Sequence, residues 1–119
     1  MKRLHSFIFF LLIINLSCGQ TKSQHITEFL KESPKDVILI DVRTPQEYHS
    51  GHLENAQNIN WFDADFADKF SVIDKDKTIY VYCKVGGRSA KAQEKLLSMG
   101  YKNVINLEGG YDDVLASKK

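Results

Sequence analysis

One cysteine, Cys83, ends the β-branched and aromatic run Thr78-Ile79-Tyr80-Val81-Tyr82, and Lys84-Val85-Gly86-Gly87-Arg88-Ser89-Ala90 follows it at once. A strand that ends in a thiol, with a helix opening directly behind it, sets the sulfur against backbone N–H groups that have no partner within the helix. Such donors stabilise the anion and draw the thiol pKa below its usual value of about 8.5. Gly86 and Gly87 lack Cβ atoms, so the chain there can take positive φ and turn successive N–H groups onto one point, an anion nest. Lys84 and Arg88 add positive charge, Val85 an apolar wall, and Ser89 a cap for the helix. The plain alternative is a strand, a glycine turn and a helix around an inert buried cysteine. A nucleophile, paired glycines, an Arg and a Ser falling in one loop favour a reactive thiolate instead.

The rest of the chain reads as the scaffold for that loop. Order is expected from about Ile26, because Ile26, Phe29 and Leu30 stand at helical spacing and Ser33-Pro34 ends the helix. Val37 to Ile40 is a continuous aliphatic run closed by Asp41, the pattern of a strand covered on both faces of a parallel sheet. A helix follows from Pro45 to about His49, with Thr44 as N-cap and Gly51 as its stop. Ala56 to Ile59 predicts a short strand, and Asp63 to Phe70 a helix that turns Phe62, Phe66 and Phe70 to one inward face. Thr78 to Tyr82 is the next strand, Ser89 to Met99 a helix stopped by Gly100, Val104 to Leu107 a last strand, and Tyr111 to Ala116 a short helix after Gly109-Gly110. This alternation predicts an α/β fold, a small parallel sheet with helices on both faces. In such sheets ligands sit beyond the carboxyl ends of the strands, where both Asp41-Val42-Arg43 and Cys83 to Arg88 fall.

At 119 residues the chain has room for one domain. Lys2 and Arg3 precede the apolar run Phe7 to Ile14, too short to span a bilayer and suited to a signal-peptide core. Residues 1–17 are therefore expected to be a signal peptide, 18–24 a tether and 25–119 the domain. Cys18, after Asn15-Leu16-Ser17, resembles the lipobox cysteine of bacterial lipoproteins, although Asn15 stands where an aliphatic residue is usual; ordinary cleavage a few residues later is the alternative. The expectation is an exported, periplasmic bacterial protein held to a membrane by lipid on Cys18. Loss of residues 1–17 removes Lys2 and Arg3 and no acids, so 16 bases against 15 acids become 14 against 15. With no basic stripe, nucleic acid is excluded as a partner. With Cys18 lipidated, Cys83 is the sole thiol, so no disulfide can form within the chain. No Cys/His cluster stands at ligand spacing, so neither a metal nor another cofactor is expected. The domain is expected to be a monomer, and His25 and His49 are given no role.

Two blocks resemble the single-domain rhodaneses, a sulfurtransferase family. The first is Asp41-Val42-Arg43, Glu47-Tyr48, Gly51-His52-Leu53 and Ala56; the second is Cys83-Lys84-Val85-Gly86-Gly87-Arg88-Ser89 with Gly100-Tyr101 and Gly109-Gly110 after it. The resemblance covers nearly all of the mature chain. It implies that Cys83 takes a sulfane sulfur as a persulfide from a donor such as thiosulfate and hands it to a thiol or cyanide, with the amides of residues 84–88 stabilising the anion. Lys84 would attract an anionic donor or stay a solvated lysine. Arg88 would face the anion or be tied to a carboxylate. Asp41 and Glu47 are expected as partners of Arg43 and Arg88, holding the mouth rigid behind the reacting groups. His52 has the chemistry of a base, but its Gly-His-Leu position in the family implies packing and backbone bonding. Tyr111 stands where many relatives carry Trp, which would reshape one rim of the pocket.

The enzymatic rival is a phosphatase or arsenate reductase of related fold, whose oxyanion loop is one residue longer between Cys and Arg and whose cysteine commonly follows a His, where Tyr82 stands here. A rival of another class is a non-catalytic rhodanese-like binding module, or a persulfide carrier with an exposed thiol. The export reading has its own test. The full-length chain expressed in a bacterium should partition into detergent, and Cys18→Ala should move it to the aqueous phase; equal partitioning of the two would remove the lipid anchor.

Overall fold

The computed structural model describes residues 21–119, so the expected signal segment and Cys18 lie outside it. In chain order the elements are β1 (Lys22–His25), α1 (Ile26–Glu32), β2 (Ile38–Asp41), α2 (Pro45–Ser50), β3 (Gln57–Asn58), α3 (Phe66–Lys69), β4 (Thr78–Tyr82), α4 (Gly87–Ser98), β5 (Asn103–Glu108) and α5 (Gly110–Ser117). The sheet has five strands in the order β1-β5-β4-β2-β3, and every neighbouring pair is parallel. The expected α/β architecture is therefore present.

Strand alternation explains how one short sheet serves two cores. Along β4, Ile79 and Val81, with Cys83 just beyond, face a core that includes Ile40, Val42, Phe66, Phe70, Ala92, Leu96, Tyr101 and Val104. Tyr80 and Tyr82 face the other layer, built on Ile26, Phe29, Leu39, Leu53, Leu107 and Val114. Cys83 thus continues the inward set of a buried strand, which fixes the side from which its sulfur meets α4. No helix among the described residues is long and apolar enough to cross a membrane.

Local sequence accounts for most element ends. Thr44 caps α2 in a complete capping box with Glu47, and Pro45 occupies the first turn. Ser33 ends α1 at φ 45°, just ahead of Pro34.

Three expectations change. Order starts before Ile26: residues 22–24, expected as tether, pair with β5 as β1, covering what would otherwise be an exposed sheet edge. Helix α3 is shorter than Asp63 to Phe70, and Phe62 is 66% exposed while Phe66 and Phe70 are buried. Phe62 lies in the turns ahead of α3, so helical spacing never applies to it. Helix α4 begins at Gly87 with Gly86 as its cap residue and no side-chain cap, so Ser89 sits inside the first turn, fully buried.

Candidate functional site

The loop after β4 is built around its own backbone polarity. The Gly86 N–H donates to Cys83 Sγ at 3.0 Å, and Gly86 takes φ 126°, a conformation that favours glycine. Ser89 Oγ lies 3.3 Å from the same sulfur and 3.1 Å from the Gly86 carbonyl. That carbonyl also accepts from Ala90 N–H at 3.1 Å. With Gly86 O already served, the single Ser89 hydroxyl proton is free to turn to the sulfur when it is anionic. Burial pushes the Cys83 thiol up, but the Ser89 hydroxyl and the amides of Ser89, Gly86 and Val85 outweigh it, leaving the pKa below that of an ordinary cysteine. Cys83 is only 1% exposed, so the exposed thiol expected of a carrier is not what the fold presents. The sulfur lies at the floor of the loop, enclosed by hydrogen-bond donors.

The opposite side of the loop fixes two of its peptide planes. Tyr111 N–H donates to the Cys83 carbonyl at 2.8 Å, and Asp112 N–H to the Lys84 carbonyl at 3.0 Å. These amides belong to the first turn of α5, where helical N–H groups lack internal partners. A peptide plane directs its C=O and the following N–H to opposite sides, so holding these two oxygens on α5 turns the amides of residues 84 and 85 the other way. The fit depends on Gly110: a Cβ there would lie 2.3 Å from Lys84 O and 2.7 Å from Cys83 O. Gly109, at φ 88°, faces side chains instead, with Asp113 Oδ2 and His25 Nε2 at 2.3 and 2.7 Å from where its Cβ would be. His25, given no role from sequence, accepts from Thr27 N–H at the start of α1 and bonds Asp113 at 3.0 Å, tying α1 to α5.

The expected carboxylate partners are all at the mouth. Asp41 and Arg43 form a buried two-point pair, Nε to Oδ1 at 3.0 Å and Nη2 to Oδ2 at 2.7 Å, and Nη2 also reaches the Gly51 carbonyl at 2.6 Å. The Arg43 guanidinium lies 4.5 Å from the centre of the Tyr111 ring, so Tyr111 serves as a lid on this pair. Arg88 gives both terminal nitrogens to Glu47, at 2.7 and 2.9 Å, the carboxylate tie expected as one of its two roles. Lys84 is neither free nor aimed at the sulfur; its Nζ is 2.7 Å from Asp112 Oδ2. His52 bonds the Tyr48 carbonyl at 2.8 Å and stacks on the Tyr48 ring at 3.6 Å, the packing role expected of it. Val85 stands 64% exposed on the loop.

Two contributors were missed from sequence. Asp112 and the α5 amides are distant in the chain and adjacent only because β5 pairs with β4; Gly109-Gly110 was the available signal, read there as a turn. Among the described residues no group of three His, Cys, Asp or Glu side chains is placed to hold a metal ion.

Comparison with known proteins agrees with this geometry. The family model described as "Rhodanese-like domain" matches residues 25–117. The thiosulfate sulfurtransferase PspE of Escherichia coli is 39% identical over 79 residues, covering 66% of this chain and 75% of PspE. The adenylyltransferase and sulfurtransferase UBA4 of Candida albicans is 37% identical over 111 residues, 80% of this chain but only 25% of that longer protein. The crystal structure of SSP1007 from Staphylococcus saprophyticus superposes with a TM-score of 0.71 at 33% identity, covering 78% of this chain and 92% of the other.

The Glu47–Arg88 pair gives a direct pH test. The Arg88 guanidinium holds the Glu47 carboxyl down at about 2, with the Thr44 amide and hydroxyl adding to it against partial burial. A carboxyl depressed on folding contributes stability that is complete above its unfolded pKa of about 4.5 and is lost as pH falls toward 2. Glu47→Gln should therefore lower stability in urea at neutral pH by about 1–2 kcal/mol, discounted for the partly exposed pair. The gap to wild type should close between about pH 5 and pH 2; a gap independent of pH would show that the pair does not carry it.

Proposed function

The chain belongs to the rhodanese-like family, and from that premise we propose that it is a sulfurtransferase that carries sulfane sulfur as a persulfide on Cys83. The observation that supports this reading is the inward Gly86 N–H on Sγ, joined by the Ser89 hydroxyl and by further loop amides that favour the anionic sulfur. In the first half-reaction the Cys83 thiolate attacks the terminal sulfur of a donor such as thiosulfate. An S–S bond forms at Sγ, the donor's S–S bond breaks, and sulfite leaves with the bonding pair. In the second, cyanide or a thiolate attacks the outer sulfur, the persulfide bond breaks, and its electron pair returns to Sγ as thiolate. Both steps bring negative charge onto Sγ or the sulfur bonded to it. Fixed N–H donors at the floor of the loop serve that charge without reorganising.

The phosphatase alternative needs an arginine over the loop to hold an oxyanion. Arg88 commits both terminal nitrogens to Glu47, and only four residues separate it from Cys83. The sequence of residues 1–18 adds to the proposal an exported protein anchored through Cys18, with sulfur chemistry taking place outside the cytoplasm.

Mass spectrometry after exposure to thiosulfate should find one added sulfur on the Cys83 peptide, removed again by cyanide with release of thiocyanate. Cys83→Ser should lose the adduct and at least about a thousandfold in turnover, as expected when a covalent nucleophile is deleted. Thiocyanate formation at an unchanged rate by the serine variant would refute the mechanism.

A further inference from the structure

We infer that the mouth of this site selects sulfur donors that carry an apolar organic group over the small dianion thiosulfate, and that Phe62 and Val85 set the preference. This rests on the sulfur-transfer reading and deepens it. Three observations lead to it. Both cations beside the loop are matched by carboxylates, Lys84 by Asp112 at 2.7 Å and Arg88 by Glu47 at 2.7 and 2.9 Å. An approaching dianion therefore meets paired charges in place of a positive field, and long-range attraction into the loop is weak. The second observation is depth. With Cys83 1% exposed, only a slender terminal sulfur can reach Sγ, and the rest of the donor must lie on the rim.

The third is what that rim presents. Val85 is 64% and Phe62 66% exposed, two of the large apolar side chains that the fold leaves in water. Phe62 is held beside Arg88, which stands in the first turn of α4 directly behind the cysteine loop. The Phe62 N–H donates to Asn60 Oδ1 at 3.1 Å, the neighbouring Trp61 N–H donates to Val42 O at 2.9 Å, and the Phe62 ring lies 5.8 Å from the Arg88 guanidinium carbon. An apolar donor group covering part of these surfaces gains burial that thiosulfate cannot. With an organic thiosulfonate the step is balanced as before: Sγ forms a bond to the terminal sulfur, the S–S bond to the sulfonyl group breaks, and the sulfinate leaves with the electron pair.

The test uses the full chain and three donors, thiosulfate, methanethiosulfonate and benzenethiosulfonate, with cyanide as acceptor. Each kcat/KM is divided by the donor's rate with free cysteine to remove intrinsic reactivity. The benzene donor should exceed the methane donor by about tenfold, the effect of covering roughly 50 Å² of apolar surface. Phe62→Ala should cut that ratio at least threefold with the thermal midpoint checked for folding, and Val85→Ser should act in the same direction. Asp112→Asn, which frees Lys84, should raise thiosulfate several-fold relative to the methane donor, and high salt should erase the gain. A benzene-to-methane ratio near one, or one untouched by Phe62→Ala, would overturn the specificity while leaving sulfur transfer standing. No transfer from any of the three donors would overturn both.

Discussion

Two hydrogen bonds from the first turn of α5 to the carbonyls of Cys83 and Lys84 turn the first two peptide planes of the cysteine loop away from the sulfur, and the Gly86 N–H completes the arrangement from within the loop. A short loop has as many C=O groups as N–H groups, and a sulfur anion is stabilised only where the donors converge and the oxygens are taken elsewhere. Here α5 supplies the elsewhere. Its unpaired amides would otherwise face water, and the loop carbonyls would otherwise compete for the space around Sγ. Gly110 brings the two backbones closer than any Cβ would allow, and Gly109, at φ 88°, turns the chain into that contact between Asp113 and His25. The sheet order completes the constraint, since β5 must lie beside β4 for its following helix to reach the cysteine loop.

Charge at the mouth follows the same economy of pairing. Asp41 with Arg43 is buried, and a buried ion pair is an uncertain contributor to stability even though losing one partner is costly. Its role here is geometric: the Arg43 guanidinium also bonds Gly51 O and packs against Tyr111, so it joins the end of β2, the α2 stop and α5 in one contact. Glu47 links the α2 capping box to Arg88 on α4. These pairs fix the walls of the site, while the sulfur itself relies on neutral donors.

Much of this was legible in the sequence where a local rule applied. Thr44, Pro45 and Glu47 announce the start of α2, and the aliphatic run closed by Asp41 identifies a strand covered on both faces. Cys83 and its glycines could be read for the same reason: strand, loop and helix are consecutive in the chain. Two errors fell where distance in sequence hides proximity, and two at helix starts. The pairing of Lys22–His25 with β5 joins the two ends of the domain, so polar residues that read as tether form an edge strand. Lys84 looked available because Asp112 lies 28 positions away. Phe62 was assigned to the core by a helical spacing that stops short of it, and Ser89 to a cap position because α4 opens on glycines in place of a side-chain cap. The first two required a neighbour that only the folded sheet supplies; the last two turn on where a helix begins.

The central claim is that inward amides make Cys83 an anion more readily than a free cysteine. In a full-length Cys18→Ala chain Cys83 is the sole thiol, and the pH dependence of its alkylation by iodoacetamide reads its ionisation directly. The rate should fall with a midpoint clearly below about 8.5, and Gly110→Ala, which crowds the carbonyl side of the loop, should move that midpoint back up. A wild-type midpoint at or above that of free cysteine would contradict the account.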